Sequence, residues 1–191
     1  MEKFGNMDIE KLNEMDLEQF GEQESMNECI VCSNSNPASL HARFYNIEPG
    51  VVEAVFTGRD VHASYKGRMH GGVIAAVLDE TMGRTLWTDR PEKMAVTAKM
   101  EVCYLRPVPL GVELRCVGRI TSEDERTFKA KAEVILPDGK VAASSTGFYV
   151  FQTQEQIDRI LKGGQIEGNG EASGARYTSR RPRSAGGYSP R

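Results

Sequence analysis

The chain has 191 residues, 39% of them hydrophobic and 27% charged, and a net charge of −3. That length supports one domain with its own core, and no run of about 18 apolar residues is available to span a membrane. The first twenty residues are acidic and lack an apolar stretch, so no secretory signal is expected and the cytoplasm is the expected location.

Residues 1–28 carry nine Asp/Glu against two Lys, and residues 171–191 carry five Arg against one Glu. Both ends read as extensions with little to bury: an acidic head over 1–28 and a Gly/Ser/Arg-rich, disordered tail over 163–191. The tail has too few interleaved aromatics for a nucleic-acid footprint. The folded domain is then expected over 29–162. Four cysteines are present, at 29, 32, 103 and 116. The spacing of Cys29 and Cys32 is that of half a zinc site. No second such pair follows, and His41, Cys103 and Cys116 are only isolated candidates to complete one, so no metal is expected.

Within the domain, two β-like runs at 39–47 and 51–57 flank Pro49-Gly50. A loop over 58–69 leads to a helix that opens at Gly71-Gly72 and runs to about Thr88. Four further strands are predicted near 94–105, 112–120, 126–136 and 140–151. Pro107 to Gly111 separates the first two, and Pro137-Asp138-Gly139 makes a hairpin between the last two. A short helix over 153–162 closes the domain. One long helix beside an antiparallel sheet is an α+β layer.

The helix holds the candidate chemistry. At 100° per residue, Asp79 falls among Gly72, Ala75, Ala76, Met82, Gly83, Leu86 and Trp87. Glu80, Thr81, Arg84 and Thr88 fall on another side, and Glu80 precedes Arg84 by four residues, the spacing of a surface pair. Glu80 is therefore explained, whereas Asp79 sits on a small, apolar, core-facing stripe. It is either a functional acid in a pocket or a structural Asp bonded to backbone. His70-Gly71-Gly72 places two glycines at the first turn, where free N–H groups favour an oxygen that gains negative charge. A tight turn would use the same glycines, and His70 could be a cap, a core histidine or a donor to substrate.

The run His70-Gly71-Gly72-Val73-Ile74-Ala75-Ala76-Val77-Leu78-Asp79 followed by Gly83 resembles the signature of PaaI-like hotdog thioesterases. Val96-Thr97 through Tyr104-Leu105-Arg106-Pro107 resembles that family's next strand and its ending. Cys29 to Cys32, continuing through Asn36-Pro37 to Leu40, is similar to a segment found in many members. The resemblance implies a hotdog fold, a long central helix wrapped by a curved antiparallel sheet, assembled as a homodimer or homotetramer. It implies hydrolysis of an acyl-CoA to free acid and CoA, with no cofactor. Asp79 matches the catalytic acid, as general base or as nucleophile. Thr97 matches the hydroxyl that the opposing subunit places near that acid. Gly71 or Gly72 matches the amide that polarises the thioester carbonyl, with His70 beside it. Lys66, Arg68 and Arg106 are candidate contacts for the phosphates of CoA. The fold also hosts other functions, so a non-catalytic acyl-CoA-binding or regulatory module and a hotdog dehydratase or hydratase remain the alternatives.

Overall fold

The computed structural model describes residues 16–161. The expected acidic extension up to residue 15 and the Gly/Ser/Arg-rich tail lie outside the described residues. Six strands pair antiparallel throughout: β1 (Arg43–Glu48), β2 (Val51–Thr57), β3 (Ala95–Tyr104), β4 (Glu113–Glu123), β5 (Thr127–Ile135) and β6 (Val141–Phe151). Their spatial order is β1-β2-β4-β5-β6-β3. Helix α1 (Gly71–Arg84) lies on one face, continued by a 3-10 turn to Thr88, and α2 (Gln154–Leu161) follows the last strand. The turns at Pro49-Gly50 and Asp138-Gly139 form where the sequence places them. Each glycine sits at φ 79°, a left-handed conformation that side chains disfavour.

The core lies between α1 and the sheet. Ile74, Val77, Leu78 and Met82 of α1 are buried against inward-facing residues of β4, β5 and β6, among them Leu114, Cys116, Phe128, Ala130 and Ala132. Full burial of each such α1 side chain contributes about 1.5–3 kcal/mol. The helix comes closest at Gly118, where a Cβ would stand 2.8 Å from the Thr81 carbonyl oxygen. A second apolar cluster occupies the opposite face of the sheet. There Tyr45, Ile47, Val51, Val117 and Ile135 pack with Leu17 and Phe20.

That second cluster moves the start of the folded unit. Residue 29 was the expected boundary, yet the chain is already engaged from about residue 17. Gln23 N–H donates to the Phe44 carbonyl, Glu22 pairs with Arg43, and Glu22 bridges to Tyr45. The acidic composition of this stretch hides two apolar anchors, Leu17 and Phe20, and side chains that satisfy polar groups of the domain.

The helix faces also differ from the wheel. The covered stripe is Ile74, Val77, Leu78, Thr81 and Met82, with Thr81 fully buried and its hydroxyl donating to the Val77 carbonyl at 2.6 Å. Arg84, expected on the surface with Glu80, is only 2% exposed. The side bearing Ala75, Ala76, Asp79 and Gly83 is half-open instead of core-facing. A wheel fixes angles between residues, and the segment before β1 decides which sector is covered.

Candidate active site

Asp79 sits in the middle of α1 with two hydroxyl donors on one carboxylate oxygen. Thr97 Oγ1 donates to Oδ1 at 2.8 Å, and the Tyr149 hydroxyl donates to the same atom at 2.9 Å. No partner meets Oδ2 among the described residues. The carboxylate is thus oriented by neutral donors, with its second oxygen left available.

Each donor is aimed by a local feature of the sheet. On β3, Met100 and Val102 pack toward the core on even-numbered positions. A bulge between Thr97 and Lys99 shifts the register, so that odd-numbered Thr97 lies opposite Tyr149 and faces α1. One extra residue in a strand re-aims the side chains beyond it. Tyr149 is held by Phe128, whose ring stacks on it at 4.7 Å and 9°. A Cβ at Gly147 would stand 2.5 Å from the Tyr149 ring, so the glycine leaves the space in which the ring leans toward α1. Burial, and then the adjacent Asp79 carboxylate, pushes the Tyr149 phenol above its ordinary value. It therefore stays protonated and remains a donor.

The start of α1 is capped from within. His70 Nδ1 accepts the Gly72 N–H at 2.9 Å, which puts the ring proton on Nε2. The Gly72 amide is thereby engaged, while the Gly71 N–H meets no acceptor among the described residues. Between the two amides considered from sequence, Gly71 is the one left to bind a ligand oxygen. The Tyr104 hydroxyl donates to the Gly71 carbonyl at 2.8 Å, so β3 touches α1 both at its start and at Asp79.

The structure therefore brings Asp79 and Thr97 together and sets His70, Gly71 and Gly72 at the opening of the same helix. Thr97 reaches the Asp79 of its own chain, not one in an opposing subunit as the resemblance implied. The bulge is the reason, because it turns Thr97 inward over α1. Lys66 and Arg68 are exposed on the turn before α1, and Arg68 bridges to Pro109. Arg106 is exposed too, but its guanidinium donates to the Val141 carbonyl at 2.5 Å, which gives it a structural task. Tyr149 is the residue that sequence reasoning missed. Its signal was available in Gly147-Phe148-Tyr149, a glycine two positions before an aromatic on the same face of a strand.

The other side of α1 is a closed polar cluster. Arg84 Nε donates to Glu80 Oε1 at 2.8 Å, and its Nη1 donates to Gln23 Oε1 at 3.2 Å and to the Glu24 carbonyl at 3.1 Å. Its Nη2 donates to Cys32 Sγ at 3.0 Å. The guanidinium carbon lies 4.3 Å from the Phe44 ring centre and 4.9 Å from that of Trp87. His41, Cys103 and Cys116 are not gathered around Cys29 and Cys32. His41 Nδ1 bonds the Ser33 carbonyl, Cys103 is exposed on β3, and Cys116 is buried in the core, with its thiol pushed up to about 12 by that burial.

A family model described as the thioesterase superfamily matches residues 66–143, the stretch that holds α1, β3 and Thr97. That stretch is a thioesterase superfamily domain. The chain has the superfamily's hotdog fold, with a six-stranded antiparallel sheet that does not close into a barrel. A thioesterase superfamily protein of known crystal structure is 27% identical, with a TM-score of 0.59 over 65% of this chain and 60% of that one. The E. coli PaaI protein shares the fold at 17% identity, with a TM-score of 0.56 over 60% of this chain and 81% of its own. Among curated relatives, the acyl-coenzyme A thioesterase THEM4 of Rattus norvegicus is 27% identical over 110 residues, covering 50% of this chain and 46% of its own length. The chain spans about half the length of the first curated relatives it matches, at 58% and 46%.

Proposed function

We propose that this protein hydrolyses an acyl-CoA thioester, with Asp79 as the reacting carboxylate. The observation that carries the reading is the pair of hydroxyl donors on Asp79 Oδ1. They fix the carboxylate plane and leave Oδ2 to take a proton from water or to attack the thioester carbonyl. Within one chain Gly71 lies eight residues, about 12 Å along the helix, from Asp79, so the N–H that meets the oxygen gaining negative charge comes from the α1 start of a second subunit, supported by the positive end of that helix. His70 holds the neighbouring amide in place. Lys66 and Arg68, exposed on the turn before α1, suit the phosphates of CoA. The superfamily domain supports thioester hydrolysis, and the name of the rat relative points to acyl-CoA as the substrate class.

The test is release of free thiol from short, long and aromatic acyl-CoAs. Asp79→Asn keeps the size of the side chain and removes the base, and kcat should fall by about 10² or more. Full turnover by Asp79→Asn would remove Asp79 from the reaction.

We further propose that the protein works as a homodimer or homotetramer. Strand β3 is an edge ten residues long, with Val96, Tyr104 and Leu105 exposed on it or at its end. Such an edge is normally paired or covered. Light scattering at micromolar concentration should give at least twice the chain mass of 21.1 kDa, and an active monomer would contradict this.

A further inference from the structure

Cys29 and Cys32 lie behind the helix, on the side away from Asp79, and the hydrolysis reading gives them no task. Their sulfurs and a Glu80 carboxylate oxygen lie within 4.8 Å of one another. Both sulfurs accept polar donors. Cys32 Sγ takes Arg84 Nη2 at 3.0 Å and the Met26 N–H at 3.3 Å, while Cys29 Sγ takes the Val31 and Cys32 N–H groups at 3.3 and 3.4 Å. Arg84 also bonds Glu80, so a fixed guanidinium already supplies positive charge between the sulfur and the carboxylate. That placement disfavours a dication and favours an anionic sulfur. Cys32 is 1% exposed and lines, with Ser25 and Asn34, a surface cavity of about 290 Å³, the side from which a small molecule would approach.

We propose that Cys29 and Cys32 form a reversible redox pair, in which the Cys32 thiolate attacks a low-molecular-weight disulfide and Cys29 resolves the product. In the first step Cys32 sulfur bonds to one sulfur of the disulfide, and the other departs as a thiolate. In the second, Cys29 sulfur bonds to Cys32 sulfur and expels the remaining thiolate, and the Cys29 proton passes to a departing thiolate. The cysteine pair loses two electrons and the small disulfide gains them. The hydrogen bond from the Cys29 thiol, with the Met26 amide and Arg84, brings Cys32 down to about 6 against the effects of burial and of the Glu80 carboxylate 3.9 Å away. The same hydrogen bond to Cys32, together with burial, raises Cys29, consistent with one attacking and one resolving sulfur. A sulfur stabilised as thiolate favours the dithiol state, so ordinary thiols should reduce the bond again.

The test uses the full chain in glutathione buffers of graded disulfide content, followed by alkylation and peptide mapping. The expected result is loss of two of the four free thiols as a Cys29–Cys32 linkage, restored by dithiothreitol. Emission of the single tryptophan, Trp87, should change over the same range, because its ring lies 4.9 Å from the guanidinium carbon that loses an anionic partner. In Cys29→Ser, glutathione should accumulate on Cys32. A pair that stays reduced across the series, a linkage through Cys103 instead, or tight zinc retention that leaves both thiols unreactive would overturn the proposal. Glutathione trapped on Cys29 in Cys32→Ser, with none on Cys32 in Cys29→Ser, would overturn the order of attack.

Discussion

Asp79 and Glu80 are neighbours in sequence and about 100° apart around α1, and the structure treats them in opposite ways. Asp79 has two neutral hydroxyl donors on one oxygen, and its other oxygen meets no partner among the described residues. Glu80 is locked to a buried guanidinium, which is tied in turn to a thiol, an amide side chain and a backbone carbonyl. Neutral donors orient a carboxylate without cancelling its charge. A buried cation cancels it, and the carboxylate then serves as a structural counterion. The difference comes from what packs on each side: a sheet edge and an aromatic at Asp79, and residues 23–32 at Glu80.

The contrast can be broken most forcefully at Asp79. Asp79→Asn should cost about 2.7 kcal/mol or more of transition-state stabilisation, the equivalent of the 10²-fold loss in kcat, and leave thermal melting nearly unchanged. Glu80→Gln should do the reverse. It strips the ion-pair partner from a buried Arg84 and should destabilise the fold by roughly 2 kcal/mol, read in denaturant melts, because Glu80 itself keeps some exposure. Activity per folded molecule should persist. Should Glu80→Gln melt like the parent and fail to turn over, the two roles would be interchanged.

Tyr149→Phe and Thr97→Val each remove one donor from Asp79 Oδ1 and should each lower kcat roughly tenfold. Their effects should not add, because both act on one atom. A last effect is a pH slope from the closed side of the helix. Cys32 falls from an ordinary 9.0 to about 6 on folding. Between those values the unfolded chain holds a proton that the folded one has released, so stability rises with pH through that window. The contribution is complete above 9 and is lost as pH falls through 6. Cys29 is shifted the other way, and its contribution is lost above 9. Melting temperature should climb from pH 6 to 9, and the climb should flatten in Cys32→Ser.

The helix and the turns at Gly50 and Gly139 were legible in the sequence, and family resemblance set Thr97 near such an acid, though across subunits. Local rules sufficed there, because glycine conformation and helical period act over a few residues. The inward turn of Thr97 depends on where β3 slips against β6, which alternation within one strand does not reveal. Tyr149 was missed because 70 residues separate it from Asp79. The burial of Arg84 was missed for a similar reason. A wheel gave it the polar side of the helix, whereas Phe44, Trp87 and residues 23–32 make that side an interior one.

The seat of Arg84 also bears on how the chain assembles. Helix α1 can settle on the sheet through its own apolar stripe, but three of the polar partners of its last residue lie 52 to 61 positions earlier in sequence. Closing so long an interval carries a high entropic barrier, and until it closes the guanidinium keeps its water. Docking of residues 23–32 is thus expected late in folding, and their release early in unfolding. That order makes the segment before β1 the natural place, among residues 16–161, for a protease to make its first cut.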